Sequence, residues 1–336
     1  MLTLFTIPKP FKGHIETIQR NAIQSWLQLR PACEIILLGN DEGTAEVARE
    51  FGVRHLPEVA RNEFGTPLLN SIFERAQAAA SHRLLCYVNA DIILLSDFLP
   101  AVRCIPFRRF LMVGQRWDLD LDQPWDFDHS DWEGRLREYV YRRGNLHPPT
   151  GMDYFVFTRD LWGTIPPFAI GRTTWDNWLI YGARVRGAAV VDATRAVMAI
   201  HQNHDYAHIP DGVEGAWKGP EAQHNLTLAG GYEHVFTLSD ATWLLTPRWL
   251  VPALTREHLR RRWEVHCMPG RRLAALGFEA HREGRPRQAV RYFVKALPYY
   301  PLLLLNRGVI SILVESVVGS RLMARYRSWR HKTYQP

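Results

Sequence analysis

Over about the first 90 residues, short apolar runs alternate with segments in which apolar residues recur every three or four positions. Short apolar runs are typical of buried strands, and the longer periodic segments are typical of helices that pack on one face. The strands predicted in this way are 2–7, 34–38, 53–56 and 84–88. The helices predicted between them are 15–29, 42–51 and 68–80. This alternation predicts an α/β fold with a doubly wound, mostly parallel sheet.

Beyond residue 100 the alternation becomes less regular. The pattern predicts strands at 109–115, 154–158, 190–192 and 197–201, a helix at 174–186, and a loop rich in Asp and aromatic residues at 117–132. From about residue 253 the chain is rich in Arg, Leu and Ala and predicts helices, including a tetratricopeptide-like pair at 273–301. We therefore expect an α/β domain, residues 1–252, followed by a basic helical C-terminal extension, residues 253–336.

Charge is distributed unevenly between the two parts. Residues 254–336 hold 17 Lys and Arg against 5 Asp and Glu, whereas residues 1–253 hold 24 against 29. A basic tail with apolar stretches can contact an anionic membrane or nucleic acid, and it can also be a helical region with a solvated cationic face. Because the larger part is mildly acidic, we expect no nucleic-acid partner there.

Cysteine spacing and hydropathy indicate where the protein resides. The four cysteines are far apart and form no CxxC pair, which argues against a zinc ribbon or a disulfide scaffold and favours a reducing compartment. The apolar run 2–7 is too short for the core of an export signal. The segment 302–318 carries two charges and is shorter than the roughly 20 residues that a membrane span needs. We expect a cytoplasmic protein, with peripheral contact at the inner membrane face through its basic tail.

A polar triplet interrupts apolar sequence at the end of the fourth predicted strand. Asn89, Ala90 and Asp91 follow 84–88 directly, and apolar residues resume at Ile92. A carboxylate at such a place is costly to desolvate unless it is paired, and a hard divalent cation is one suitable partner. The other interpretation is a carboxylate that caps the following turn.

This triplet resembles the Asp-x-Asp motif of the glycosyltransferase-A superfamily, of which the family-2-like nucleotide-diphospho-sugar transferases are the nearest pattern. The resemblance extends over about residues 1–210 and implies that Asp91 holds Mn²⁺ or Mg²⁺ against the diphosphate of a sugar donor. Asn89 stands where the family has its first Asp. The resemblance also assigns residues 1–100 to nucleotide binding and residues 101–252 to the acceptor and the metal.

A second likeness concerns the predicted helix 174–186. Trp175 and Asp176 resemble the Glu-Asp motif of the family, with Trp175 in place of the Glu, and the spacing from Asp176 to Gly187 equals that of the inverting pattern. The likeness implies that Asp176 is the catalytic base. A carboxylate near the start of a helix is stabilised as the anion and can accept a proton from an acceptor hydroxyl. A helix-capping role is the alternative.

Further candidates follow from the order of motifs along the chain. His201 follows a short strand where family members place a histidine that ligates the metal, and His204 is the second candidate. Positions that correspond to donor-binding residues of the family are Thr6, Ile7, Pro8, Asp41, Asn62, Asn70, Asn89, Asp91, Gly151 and Asp153. Candidates for acceptor contact or a secondary role are Trp117, Trp175, Asn177 and His204.

Taken together, these residues predict a metal-dependent transfer of a hexose or pentose from a nucleotide-diphosphate sugar, with UDP as the expected nucleotide, to a glycan or lipid-linked acceptor in polysaccharide biosynthesis. The alternatives are a nucleotidyltransferase of similar fold, a carbohydrate- or nucleic-acid-binding module, and a catalytically inactive relative. Nucleotidyltransferases carry a Gly-rich basic loop after the first strand, whereas 8–13 has two lysines and one glycine.

Overall fold

A computed structural model of the chain describes residues 2–204, 214 and 217–318. Contacts divide the chain into two units, Met1–Leu254 and Thr255–Pro336. The last eighteen residues of the predicted helical extension, 319–336, lie outside the described residues.

The first unit contains strands of two to five residues. They are β1 (Leu2–Thr6), β2 (Glu34–Leu38), β3 (Arg54–Leu56), β4 (Leu84–Val88), β5 (Ile92–Ile93), β6 (Phe110–Val113), β7 (Arg116–Leu119), β8 (Asn145–Leu146), β9 (Tyr154–Thr158), β10 (Ala189–Asp192), β11 (Ala199–Gln202), β12 (Trp243–Leu245) and β13 (Leu250–Pro252). Its described α-helices are α1 (Gly13–Leu27), α2 (Thr44–Glu50), α3 (Leu69–Ala79), α4 (Phe98–Arg103), α5 (Trp132–Arg143), α6 (Trp175–Val185) and α7 (Pro220–Ala229).

Within the described residues, nine of these strands form one sheet in the order β13-β12-β10-β6-β9-β4-β1-β2-β3. Neighbouring strands are parallel except that β9 runs antiparallel to both β4 and β6, and β13 runs antiparallel to β12. Helices cover both faces. The prediction of a doubly wound, mostly parallel sheet is therefore confirmed. Because β1, β2 and β4 are parallel neighbours, their carboxyl ends meet at one edge of the sheet.

Four further strands form a smaller sheet in the order β5-β11-β7-β8 among the described residues. Its strand β5 follows β4 in the chain after the turn 89–91. In it β11 pairs in parallel with β7, so that His201 stands opposite Asp118, and antiparallel with β5, so that His201 also stands opposite Ile92. This pairing brings the segment around residue 201 to the turn that follows β4.

The two faces of the central strands bury different side chains because successive residues of a strand point to opposite faces. On one face Leu4 and Cys86 join the main hydrophobic core. On the other, Phe5 and Tyr87 pack against Phe73 of α3, with ring centroids 5.1 and 5.6 Å from the Phe73 ring. Two-sided burial explains why these strands appear in the sequence as continuous apolar runs.

The predicted boundaries agree with the observed ones to within about two residues for most elements. The loop predicted at 117–132 is wrong for its first residues, because Arg116–Leu119 is the strand β7. Its sequence, RWDL, alternates charged and apolar residues and lacks the apolar run that marks the other strands. Pairing with β11 and β8 holds it in the extended conformation.

The segment that leads into α6 is fixed by a buried side chain of α7. Asn225 is fully buried; its Oδ1 accepts from the Ala169 amide at 2.9 Å and its Nδ2 donates to the carbonyls of Ala169 and Thr173 at 3.0 and 3.1 Å. Next in the chain, Thr174 has φ of 91°. That region is unfavourable for a β-branched residue and persists only where the surroundings enforce it. Asn225 therefore helps to fix the start of α6, where Asp176 lies.

The described residues of the second unit, 255–318, form helices and a short 3₁₀ turn, Pro301–Leu305. Its described α-helices are α8 (Arg256–Arg282), α9 (Pro286–Ala296) and α10 (Arg307–Val318). The helix α8 passes close to α9 at Gly277, where a Cβ atom would lie 2.6 Å from the Phe293 ring. The helix pair predicted at 273–301 is thus present. No helix in the described ranges is long and apolar enough to cross a membrane.

We predict that Asn225→Ala lowers the free energy of unfolding by about 2–3 kcal/mol, because it leaves the buried Ala169 amide and two carbonyls without their partner. Chemical denaturation monitored by tryptophan fluorescence measures the loss. The control is Thr227→Ala on the same helix, where an exposed hydroxyl donates to the Gln223 carbonyl. Equal stability of the two variants would contradict this role for Asn225.

Candidate functional site

Asp91 lies in the tight turn that joins the large sheet to the small one. The Ile92 amide donates to the Asn89 carbonyl at 3.1 Å, which closes the turn, and the Asp91 carbonyl accepts from the Gln202 amide at 3.2 Å. Trp26 of α1 donates from its indole to the Ile92 carbonyl at 2.9 Å. The backbone on both sides of Asp91 is therefore held, and its carboxylate is 13% exposed.

Two histidines face this carboxylate. His204 Nε2 lies 3.1 Å from Asp91 Oδ2, and His201 Nε2 lies 3.9 Å from the same oxygen. One ligand atom from each of the three residues falls within 4.8 Å of the other two, an arrangement that can hold a metal ion. The sequence-predicted metal residues are thus brought together by the pairing of β11 with β5.

The other carboxylate oxygen of Asp91, Oδ1, is buried and has no hydrogen-bond partner among the described residues. Burial opposes ionisation, but the neighbouring His201 and His204 hold the pKa of Asp91 well below its usual range. A buried anionic oxygen without a donor is costly. The donor set of one carboxylate and two imidazoles suits Mn²⁺ and similar divalent ions, so these residues fit the metal that the sequence predicts.

Asp118, at the end of β7, connects His201 to further charged groups. His201 Nδ1 lies 3.2 Å from Asp118 Oδ1, without the alignment of a hydrogen bond. His147 Nδ1 lies 2.6 Å from Asp118 Oδ2, and Arg116 donates from Nε to Oδ1 at 2.8 Å. Burial opposes ionisation of Asp118, yet contacts with His201 and His147 and the charge of Arg116 keep its pKa well below the usual range.

Arg116 also contacts Asp153, which is one of the predicted donor-binding residues. Its NH1 donates to Asp153 Oδ2 at 2.6 Å, and Asn89 donates from Nδ2 to Asp153 Oδ1 at 2.5 Å. The Asn89 amide also donates to the Asp153 carbonyl at 2.9 Å. Asn89 therefore braces Asp153. Gly151 closes a turn on Pro148, and a Cβ there would collide with the ring of His147.

Asp176 lies in the first turn of α6, as predicted. Burial raises its pKa to about 7; the charge of Asp153 acts in the same direction, while two backbone amides and Arg116 oppose it. A carboxyl group whose pKa lies near neutrality can exchange protons at physiological pH. The charges of Asp153 and Arg116 both act on Asp176.

Lys9 and a cavity lie next to His204. Lys9 Nζ lies 3.4 Å from His204 Nε2, and the Lys9 backbone is held by Gln19 of α1 through two hydrogen bonds of 2.7 and 2.9 Å. A cavity of about 400 Å³ adjoins His204. Its lining residues are Lys12, His14, Ile15, Asp120, Asn203 and His204.

The remaining predicted donor residues differ in whether their side chains already have a partner. Thr6 Oγ1, at the carboxyl end of β1, and Asn70 Oδ1, in α3, are buried and lack a hydrogen-bond partner within the part of the chain that the structure describes. Ile7 and Pro8 follow Thr6 directly. Asp41 instead forms an ion pair of 2.7 Å with Arg61.

Asn62 belongs with Asp41, because its side chain is already engaged in holding the structure. Its Oδ1 accepts from the amides of Phe64 and Thr66 at 3.0 and 2.9 Å, and its Nδ2 donates to Glu221 at 2.7 Å. Glu221 also accepts from Arg172 at 2.6 Å, and both of these side chains are largely buried. Asn62 thus ties its own loop to α7.

The aromatic candidates serve packing in this structure. Trp175 is buried against Tyr87 at a centroid distance of 5.6 Å, and Asn177 donates to the Phe236 carbonyl at 2.7 Å. Trp117 is half-buried, with its ring edge-on to Tyr141. In the acidic loop that follows, the Trp125 ring is stacked on Tyr139 and also lies 5.9 Å from the guanidinium carbon of Arg135. These contacts favour the aromatic residues as anchors of the loop.

Arg116, His147 and Lys9 are site residues that the sequence reasoning does not single out, and Asp118 appears in it as a member of a loop. The alternation in RWDL is a local signal for Arg116 and Asp118, but their place beside Asp91 follows only from the pairing of β11 with β5 and β7.

No protein-family model matches the chain, and no curated protein matches it. Among solved structures, the chain is similar to glucosyl-3-phosphoglycerate synthase from Mycobacterium tuberculosis in complex with Mn²⁺, UDP and glucosyl-3-phosphoglycerate, at 17% identity over 69% of this chain and 80% of that one, with a TM-score of 0.43. It is also similar to GalNAc-T7 with UDP, GalNAc and Mn²⁺, at 16% identity over 68% of this chain and 48% of that one, with a TM-score of 0.42. At these values the function of the chain has to be inferred from its own residues.

Proposed function

We propose that the first unit is a metal-dependent glycosyltransferase that moves a sugar from a nucleotide-diphosphate donor to an acceptor hydroxyl. One observation carries this proposal: Asp91 stands at the carboxyl edge of a mostly parallel sheet with an unpaired buried oxygen and with two histidines around its carboxylate. Ligands of such sheets bind beyond the carboxyl ends of the strands.

Asp91, His201 and His204 would hold the cation, Mn²⁺ or Mg²⁺. When bound, the cation supplies Lewis-acid stabilisation of the charge that develops on a leaving diphosphate. Lys9 is placed beside His204 and offers a second positive charge to the same phosphates.

Thr6 and Asn70 would bind the nucleotide, because each presents a buried polar oxygen that a ligand can satisfy. Ile7 and Pro8 line the same strand end. Asp41 and Asn62 would act mainly through the backbone that they hold in place. Asp153 and Gly151, braced by Asn89 and Arg116, would seat the sugar.

Asp176 would act as the base that removes the acceptor proton, with inversion at the anomeric carbon. Its pKa of about 7 suits a group that must take up a proton and release it in each turnover. We further propose UDP as the nucleotide, a hexose or pentose as the sugar, and a glycan or lipid-linked acceptor of polysaccharide biosynthesis. Four unpaired cysteines are compatible with a cytoplasmic reaction.

Binding of the donor should depend on the metal. A panel of UDP-, GDP-, CMP- and dTDP-sugars, tested by thermal shift, should give one class that raises Tm by several degrees with Mn²⁺ and not with EDTA, because a ligand that binds the folded state stabilises it. Asp91→Asn should lose that shift. Stabilisation by nucleoside triphosphates alone would indicate a nucleotidyltransferase instead.

Asp118 should strengthen metal binding through His201. Asp118→Asn should weaken Mn²⁺ binding about 10- to 100-fold, because the carboxylate next to His201 Nδ1 favours the tautomer whose Nε2 lone pair is free for the metal. Electron paramagnetic resonance of free Mn²⁺ measures the affinity without turnover. The matched control is Asp122→Asn in the exposed loop that follows, and equal affinities for the two variants would refute this role.

Ionisation of Asp176 should set the pH dependence of the transfer. In the wild type, kcat/KM should fall about tenfold per pH unit below pH 7, since the base must be ionised. Asp176→Asn should lower kcat by about 10²- to 10⁴-fold while donor-induced stabilisation persists. The control is Asp160→Asn, an exposed aspartate with φ of 59°, a conformation that asparagine also adopts.

The same shift has a consequence for stability. Because the folded-state pKa of Asp176 lies above its unfolded value, ionisation destabilises the fold increasingly from about pH 4 to pH 7. Asp176→Asn should therefore melt above the wild type at pH 8 and closer to it at pH 5. Normal turnover by this variant would show that another group is the base.

A further inference from the structure

The second unit exposes an unusual number of leucines in one short turn. In Pro301–Leu305 the side chain of Leu303 is buried in the core of the unit, whereas Leu302, Leu304 and Leu305 are 49%, 50% and 76% exposed. One residue anchors the turn and three project from it. Exposed apolar groups concentrated in this way mark an interaction site in soluble proteins.

The helix after the turn continues the apolar surface. Ile310 and Val314 of α10 are 43% and 41% exposed, and residues four apart lie on the same face of a helix. Val309 and Ile312 of the same helix are buried, so the helix has one face in the core of the unit and apolar side chains on another.

Cationic groups stand on both sides of the turn. Arg271 is exposed, and its guanidinium carbon lies 5.6 Å from the ring centre of Tyr300, the residue that precedes Pro301. Arg307, the second residue after Leu305, is also exposed. The described residues of this unit, Thr255 to 318, contain twelve Lys and Arg against five Asp and Glu. Glu264 and Glu283 are among the acidic residues already paired with arginines.

We propose that this surface, the leucines of Pro301–Leu305 with Arg271 and Arg307, docks on the interface of an anionic lipid bilayer. Leucine side chains enter the boundary between headgroups and acyl chains, while each arginine beside them gains favourable energy from the negative surface potential. Charge favours this partner, because a second copy of the chain that docked symmetrically through the same surface would bring like cations into contact. The proposal does not depend on the proposed reaction, because no residue of the first unit takes part.

Sedimentation of the full chain with vesicles tests the proposal. With phosphatidylglycerol–phosphatidylcholine vesicles the wild type should bind at least tenfold more tightly than with pure phosphatidylcholine, and 0.5 M salt should reverse the binding because it screens the surface charge. The double variant Leu304→Ser with Leu305→Ser should bind the anionic vesicles at least tenfold more weakly. The variant Arg271→Gln with Arg307→Gln should lose part of the preference for the anionic lipid.

Two controls keep the test specific. Phe64→Ser removes a 61% exposed aromatic ring of the first unit, and Arg143→Gln removes an exposed cation there. Both should bind vesicles as the wild type does. All variants change exposed side chains, and an unchanged circular dichroism melt verifies that they fold.

Three results would overturn the proposal. The first is equal binding of the wild type to anionic and neutral vesicles. The second is a loss of less than tenfold in the double leucine variant. The third is a dimer in solution, seen by analytical ultracentrifugation, that the leucine variant abolishes; a second copy of the chain would then cover the turn.

Discussion

Burial of a single carboxylate, that of Asp91, is the constraint on which the rest of the site depends. One of its oxygens is buried without a hydrogen-bond donor among the described residues, and the other faces His201 and His204. Such an anion is unfavourable in a protein interior unless positive charge compensates it. A divalent cation held by the three residues would supply that charge, and this requirement is why we interpret the turn after β4 as a metal site.

Rigidity at this turn comes from the junction of the two sheets. The large sheet delivers Asp91 at the end of β4, and the small sheet delivers His201 on β11 and Asp118 on β7. Arg116 then joins Asp118 to Asp153 by hydrogen bonds, and His201 lies 3.2 Å from Asp118, so that the metal residues and the proposed sugar turn belong to one network of polar contacts. A network of this kind fixes side-chain orientation at little conformational cost to a ligand, which is what transfer chemistry requires.

Much of the fold could be predicted from the sequence because strands buried on both faces appear in it as nearly continuous apolar runs. The strands 34–38, 84–88 and 154–158 are apolar apart from Glu34 and Thr158 at their ends, and they agree with the observed bounds. The strand Arg116–Leu119 could not be predicted, since half of it is charged and its conformation depends on pairing with a segment about 80 residues away.

The site was predictable to the extent that it rests on local motifs. Asp91, Asp176 and His201 could be singled out from their positions at the ends of elements. The roles of Arg116 and His147 could not, because Arg116 reaches Asp153 and His147 reaches Asp118 only after segments far apart in the chain have come together. Likewise, nothing local indicates that Asn62 is engaged with Glu221.

The most direct test of the central claim is an anomalous-difference map from a crystal grown with Mn²⁺ and measured at the manganese edge. The account predicts one strong peak within bonding distance of a carboxylate oxygen of Asp91 and of imidazole nitrogens of His201 and His204. A map with no peak at that turn, or with its manganese bound elsewhere while these three residues keep their own contacts, would contradict it.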